Sequence, residues 1–257
     1  MSFKIVVANR IIKLSGALVK IISYPFHFVF PKLRFTIPEK SDPFYKSSKE
    51  YKIPKIIWQT NYTNKVSLPV YCNYLFNRLI SPDYAYRYMG HEDREEFLKE
   101  NAPAEVFDAF MKLTDGAAQA DLWRLFVLNF YGGVYMDIDG HSVWTLSGLI
   151  KPTDSEVFLL NKEHFTNYFI ATAPNNIVLT DAINLIVENI NNKSIDGGVY
   201  KLTGPSVLNV AIGDKKVNHR YYRVTCTQGS FTNEHFQYID KPRGKWTHAK
   251  NEDLLKD

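Results

Sequence analysis

Ala117-Ala118-Gln119-Ala120-Asp121-Leu122-Trp123-Arg124-Leu125-Phe126-Val127-Leu128-Asn129-Phe130-Tyr131-Gly132-Gly133-Val134-Tyr135-Met136-Asp137-Ile138-Asp139 is the stretch on which the fold turns. Asp121 and Arg124 stand three apart, so they share one face of a helix and can touch. Leu122, Trp123, Leu125, Phe126, Val127 and Leu128 make that helix apolar on nearly every side. This predicts a helix enclosed by protein rather than lying on it. Gly132-Gly133 follows, where a left-handed stop costs glycine least. Val134 to Ile138 then alternates as a short strand, which places Asp137 and Asp139 on one side of its end.

Asp137-Ile138-Asp139-Gly140 has two readings. It is either a polar turn that ends a strand or a carboxylate pair facing a divalent cation such as Mg²⁺, whose other ligands are substrate phosphates. The preceding helix favours the second, because a buried aspartate and arginine are costly unless paired or used.

The 257 residues, 45% hydrophobic and 23% charged, fit one globular α/β domain with an appendage. That composition belongs neither to a disordered chain nor to an integral membrane protein. Cys72 and Cys226 lie far apart with no C-x-x-C spacing, so free thiols in a reducing compartment are expected. Charge is unevenly placed. Residues 1–34 hold Lys4, Arg10, Lys13, Lys20, Lys32 and Arg34 and no acid, which leaves 25 basic against 27 acidic residues of the chain's 31 and 27. The body is therefore nearly neutral, which disfavours a broad basic face for nucleic acid.

The arm mixes those bases with Ile5, Val6, Val7, Ile11, Ile12, Leu14, Leu18, Val19, Ile21 and Ile22, then Tyr24, Phe26, Phe28 and Phe30. No uncharged run reaches the ~20 residues of a spanning helix. The segment suits the interface of an anionic membrane, or else packing against the domain or a partner. Three regions follow: a basic amphipathic membrane-associating arm at 1–35, a linker at 36–52 rich in Pro and Ser, and a catalytic domain at 53–257. The sheet is expected to begin only near Ile53, so the arm is expected to be dispensable for folding.

Within the body, Ile53 to Trp58 reads as a strand with Trp58 and Gln59 at its C-terminal lip, where α/β sheets bind ligands; core packing is the other reading of Trp58. Helices are predicted over 68–79, from 91, over 103–113 and 175–191, and from Pro205. Strands are predicted over 82–89, 156–160 and 168–172, with an edge hairpin near 140–144. This alternation is an α/β sheet pattern. The start of the last helix, at Thr203-Gly204-Pro205-Ser206, is either an ordinary cap or a place where N–H groups meet a phosphate or hydroxyl.

The run A-x-x-x-D-x-x-R followed by Y-G-G-V-Y-x-D-x-D resembles the signature of DXD-containing glycosyltransferases of family 32, among them bacterial capsule and lipopolysaccharide sugar transferases. Ile53-Pro54-Lys55-Ile56-Ile57-Trp58-Gln59 resembles the family's opening strand, and Leu202-Thr203-Gly204-Pro205 a later segment. The resemblance implies a GT-A-type fold, a single α/β/α domain around a mainly parallel sheet. It implies transfer of a hexose or N-acetylhexosamine from a nucleotide sugar, a UDP-sugar foremost, to a saccharide or glycolipid acceptor, with retention and with Mn²⁺ or Mg²⁺. On that basis Asp139 would hold the metal and Asp137 the metal shell or ribose, with His248 as a further ligand or a plain surface histidine. Trp58, Gln59, Asp121, Arg124, Lys245 and Trp246 would meet the nucleotide or donor sugar, and Asn167, Gly204 and Pro205 the sugar region. The family's tail carries a longer His/Trp/Ser/Trp cluster than the Trp246 and His248 present here. No nucleophile is assigned. The expected setting is the cytoplasm, on the inner face of the membrane. A metal-dependent phosphohydrolase or nucleotidyltransferase would want more acids around two ions. A non-catalytic membrane-surface protein would leave Asp121 and Arg124 without purpose.

Overall fold

The computed structural model describes residues 3–256. The chain opens with α1 (Phe3–Val29), followed by β1 (Phe35–Thr36) and β2 (Lys40–Ser41), before the body's β3 (Ile56–Thr60), β4 (Lys65–Val66), α2 (Leu68–Ile80) and β5 (Ala85–Met89). Next come α3 (His91–Asn101), α4 (Ala104–Lys112), α5 (Gly116–Tyr131), β6 (Gly133–Met136), β7 (Gly140–Ser142) and α6 (Leu146–Leu149). The C-terminal half adds β8 (Glu156–Asn161), β9 (His164–Thr172), α7 (Ile177–Asn191), α8 (Gly198–Leu202), α9 (Pro205–Ile212), β10 (His219–Tyr221), β11 (Cys226–Gln228) and α10 (Glu234–Gln237).

Seven strands form the main sheet in the order β10-β8-β9-β6-β3-β5-β2. β3 pairs parallel with both β5 and β6, and β10 parallel with β8, while β9 runs antiparallel between β6 and β8. Five of the seven strands therefore point one way. Alternation along each strand sends Trp58, Tyr135, Phe158 and Ile170 into a core under α4, α5, α7 and α9. It sends Ile57, Val134, Met136 and Phe169 into a second core with Val70 and Tyr74 of α2 and Leu146 of α6. The layers are helix, sheet, helix, the GT-A-type arrangement.

α5 is the inner helix that the sequence predicts, with every residue from Ala118 to Leu128 buried. Asp115 caps it by accepting from the N–H groups of Ala117 and Ala118 at 2.9 and 3.0 Å. Its exit needs two glycines. Gly132 and Gly133 both take positive φ, +70° and +115°, and a Cβ on Gly133 would stand 2.8 Å from the Ile56 carbonyl oxygen.

Two expectations about the first 52 residues change. Lys40–Ser41 adds an antiparallel edge to β5, with Lys40 opposite Arg87, so the stretch expected as a linker supplies a strand of the main sheet. The arm is a 27-residue helix laid on the body by one face. Ile12, Gly16, Ser23 and His27 point inward at helical spacing. Asn9 donates to the Arg223 carbonyl, Lys20 to the Gly229 carbonyl at 2.9 Å, and His27 accepts from the N–H of Leu68. Arg34, just past the helix, makes a two-pronged salt bridge to Asp240 at 2.6 Å. The arm is thus built into the tertiary structure through these contacts. Its opposite face is apolar and open: Leu14 is 74% exposed, Ile21 66% and Phe28 87%. No helix among the described residues is long and apolar enough to cross a membrane. Cys72 and Cys226 are both free thiols.

The tightest contact of the arm is at Gly16, where a Cβ would stand 2.5 Å from the Ser230 carbonyl oxygen. Gly16→Val should cost about 1–3 kcal/mol of stability through overpacking. Thermal melts should show the fall, with limited proteolysis now cutting within residues 3–34. An unchanged melt, with the arm cut equally in wild type and variant, would place α1 off the body.

Candidate active site

The site is assembled where α5, β9 and the end of β6 meet. β6 stops at Met136, earlier than the alternation of Val134 to Ile138 suggests, and Asp137 to Gly140 form a tight turn closed by the Gly140 N–H on the Asp137 carbonyl at 2.8 Å. The two carboxylates are therefore brought together by a turn and not by strand pleating. Side-chain amides hold that turn on several sides. Gln59 donates to the carbonyls of Met136 and Asp137 and accepts from the Tyr86 hydroxyl. Asn73 donates to the carbonyls of Ile138 and Gly140, and Asn77 to that of Gly140. Gln228 reaches the acids themselves, its amide nitrogen 2.8 Å from Asp137 Oδ2 and 3.1 Å from Asp139 Oδ1. It arrives on β11, which pairs with β7 in a ribbon that holds Gln228 opposite Gly140.

Arg124 links this turn to the helix. Its guanidinium stands 3.1 Å from Asp121 Oδ1 and 3.2 Å from Asp137 Oδ1, and donates to the carbonyls of Ala120 and Asn167. Its underside lies over the Tyr135 ring at 4.4 Å, and the Tyr135 hydroxyl donates to Asp137 at 2.6 Å. Asp121 accepts also from the Asn167 amide at 2.9 Å and the Thr203 hydroxyl at 3.0 Å. Burial raises the Asp121 carboxyl to about 7 against the pull of Arg124 and Thr203. For Arg124, burial alone would lower the pKa, but Tyr135, Asp121 and Asp137 outweigh it and hold the guanidinium charged. Loss of surrounding water and the neighbouring charge of Asp137 raise Asp139 to about 7, with Gln228 pulling it down.

Asp121, Arg124, Tyr135 and Asp137 face a cavity of about 680 Å³, which Asp139 and Thr203 stand behind rather than line, a size that takes a ligand of nucleotide-sugar scale. Asp121, Arg124, Asp137, Asn167, Gly204, Pro205 and Trp246 all line it. Trp58 and Gln59 do not. Trp58 is 4% exposed, donates its indole N–H to the Gly132 carbonyl and stacks on Tyr131, so it packs behind the sheet's end and the core reading of this residue is the one realised. Gln59 holds the backbone of the acidic turn and touches nothing in the cavity. Lys245 and His248 both turn to Glu234, at 3.1 and 2.8 Å, and His248 is drawn away from Asp137 and Asp139. Among the described residues no cluster of three histidine, cysteine or acidic side chains is set for a metal.

Thr203, Tyr135 and Gln228 are site residues to which the sequence reading gives no role. Tyr135 and Thr203 lie inside motifs quoted above, so a signal was present. Gln228 is 89 residues from Asp139 and has no local mark.

Residues 69–158 match the family model described as glycosyltransferase sugar-binding region containing DXD motif. Two proteins of Saccharomyces cerevisiae are similar in sequence. Mannosyl phosphorylinositol ceramide synthase CSH1 is 33% identical over 108 residues, 42% of this chain and 28% of that protein. Mannosyl phosphorylinositol ceramide synthase SUR1 is 37% identical over 89 residues, 34% and 22% of the two chains. The matched part thus spans about a quarter of each yeast protein's length. Among solved structures, PaToxG glycosyltransferase superposes with a TM-score of 0.52 at 21% identity, over 80% of this chain and 78% of that one.

Arg124→Met would leave the buried Asp121 and the part-buried Asp137 without their cation, and should cost about 3–5 kcal/mol. Thr203→Val should cost only about 1 kcal/mol. Urea unfolding midpoints of the two variants check both the direction and the order. Equal midpoints for wild type and Arg124→Met would mean that the ion pair is open to water. With that network at its centre, the chain has a GT-A-type fold in which residues 69–158 match the model of a DXD-containing glycosyltransferase sugar-binding region.

Proposed function

We propose that the enzyme moves a hexose or N-acetylhexosamine from a nucleotide sugar, a UDP-sugar foremost, to a saccharide carried on a lipid, with Mn²⁺ or Mg²⁺ at the acidic turn. The observation that carries this reading is the chain of contacts Asp121–Arg124–Asp137 along one wall of a cavity beside the DXD turn, backed by Thr203 on Asp121.

The residues fit a hard divalent cation. Asp137 and Asp139 converge on a single amide NH₂ of Gln228, a partial positive charge sitting between two carboxylates. Two carboxylates with water and substrate phosphate are the usual surroundings of Mg²⁺. Asp137 and Asp139 would hold the ion, with no protein ligand from His248. When bound, it would supply charge against the diphosphate as it departs.

The chain's own side chains would do the remaining work. Asp121 accepts from hydroxyls of the donor sugar, oriented by Arg124, Asn167 and Thr203. Arg124 places positive charge beside Asp137 and the leaving group. Trp246, 40% exposed at the cavity, offers a flat apolar face to the substrate. The two carboxylates lining the cavity, Asp121 and Asp137, are both engaged with Arg124. That leaves neither free to deprotonate an acceptor, which supports transfer with retention over inversion.

A lipid-held acceptor, of the glycolipid kind or a carrier in surface polysaccharide or lipopolysaccharide synthesis, is supported by two observations. The yeast proteins are by name synthases of a mannosyl phosphorylinositol ceramide. The outward face of α1 is apolar, in an arm of six bases and no acid. We place that face in the headgroup region of an anionic leaflet, as the cytoplasmic leaflet is. The enzyme would then sit peripherally on the inner membrane surface.

Release of free nucleotide from a panel of UDP- and GDP-sugars with Mn²⁺ tests the reaction. One donor should turn over, and Asp139→Asn should lower the rate about a hundredfold while the fold survives. Full activity of Asp139→Asn in metal-free buffer would remove the metal from the scheme. The membrane assignment has a separate check in vesicle co-sedimentation. Wild type should pellet with anionic vesicles and less so in high salt, whereas Leu14→Glu with Leu18→Glu, both at exposed positions, should stay in the supernatant. Equal pelleting of the two proteins would assign the outward face to something other than lipid.

A further inference from the structure

Arg94 is a buried cation without a carboxylate. It lies in the first turns of α3, 3% exposed, and lines the same cavity as Asp121 and Arg124. Its Nε donates to the Gly90 carbonyl at 3.2 Å, and one amino nitrogen reaches the Gly116 carbonyl at a long 3.4 Å. Among the described residues no aspartate or glutamate lies within ion-pair distance of it; Asp93, one residue before, is spent on the Gly90 N–H. The contrast with Arg78, equally buried, is informative. Arg78 donates to the Tyr84 carbonyl, the Asp42 carbonyl and the Ser41 hydroxyl, and so is a structural cross-brace. Arg94 spends two of five donors, both weakly, and turns the rest toward the cavity.

Opposite it is Gly116, at the start of α5. Nothing stands within 4 Å of where its Cβ would be, and its φ lies outside the left-handed region. Neither backbone conformation nor a neighbouring atom requires glycine there. What glycine does is leave room in a cavity that it lines.

We propose that Arg94 and the open backbone at Gly116 form a phosphate-binding subsite of the donor cavity, taking a phosphate of the nucleotide. This rests on the nucleotide-sugar reading above and adds the residues that hold the anion. A guanidinium out of water needs an anion to offset its desolvation. Its planar fork matches two phosphate oxygens at once. The uncharged edge of a nucleobase would offset less. Burial already lowers the Arg94 pKa to about 10, and an incoming phosphate would reverse that. Arg124, the other buried guanidinium of the cavity, is held by Asp121 and Asp137, and Lys241, which also lines it, is exposed to water, so among the described residues Arg94 is the buried cation left to meet the ligand.

Isothermal titration of uridine, UMP and UDP, and of the guanosine series, at fixed Mn²⁺ tests the subsite. Arg94→Gln should weaken the mono- and diphosphate about tenfold or more and leave the nucleoside unchanged. Arg94→Lys, which keeps charge but not the fork, should fall between. Gly116→Val, which fills the open space, should weaken the phosphorylated ligands in the same order. If Arg94→Gln fails to fold, the lysine and valine variants carry the comparison. Equal affinities for wild type and all variants would overturn the subsite, as would an equal loss for nucleoside and nucleotide, which would move Arg94 to the base. A wild type that binds none of these ligands would instead remove the nucleotide-sugar reading, and the subsite with it.

Discussion

The structure depends on one guanidinium. Arg124 is buried, and a buried cation is tolerated only when its donors are met. Here they are met by two carboxylates and two carbonyls that belong to three elements: Asp121 and Ala120 on α5, Asn167 on β9, and Asp137 in the turn after β6. The requirement explains why α5 must run inside the protein, and why it must stop at Gly132-Gly133 so that β6 returns alongside it. It also explains why Tyr135 has its ring under the guanidinium and its hydroxyl on Asp137. Charge inside the fold is not decoration on a finished scaffold; the scaffold's crossing points are set by it.

A second principle is visible in how the acidic turn is held. Gln59, Asn73, Asn77 and Gln228 all approach it with amides. Amides fix positions through hydrogen bonds without cancelling charge. A lysine or arginine in their places would have neutralised the pair and left nothing to attract a cation. Arg124 takes up part of the charge of Asp137, and Asp139 makes no ion pair among the described residues. The division resembles what any binding site for a hard ion requires: rigid geometry from neutral groups and charge from the ligands alone.

The legible parts of this fold were those written locally. The inner helix announced itself by apolar residues on every side of Asp121 and Arg124, and the acidic turn by its place after two glycines. Asn167, Gly204 and Pro205 were reachable through short family-like segments. What the sequence withheld came by topology. Gln228 reaches Asp139 only because a two-stranded ribbon joins segments far apart, and Arg94 sits in an acidic, exposed-looking run whose one buried cation no periodicity singles out. Trp58 carried two readings, ligand contact and core packing. Its position at a strand's end allowed either, and pleating takes it into the core against Tyr131. His248 was attractive by composition, but Glu234 lay nearer than the acidic turn. The first 52 residues looked separable because their charge differs from the body's; charge says where a segment meets solvent or lipid, and does not say what its other side touches.

That other side has a practical consequence. The inward face of α1 rests on Gly229, Ser230 and Phe231, the residues that immediately follow Gln228. The same chain segment then runs through Tyr238 and Lys241 along the cavity, with Asp240 tied to Arg34. Cutting the chain after the arm, the customary way to make a surface-bound enzyme tractable, would remove the shelf on which one wall of the active site is laid. Polar replacements confined to the outward face would change solubility and leave that shelf in place. For this protein the handle and the blade are one casting, and only its outer surface can be re-ground.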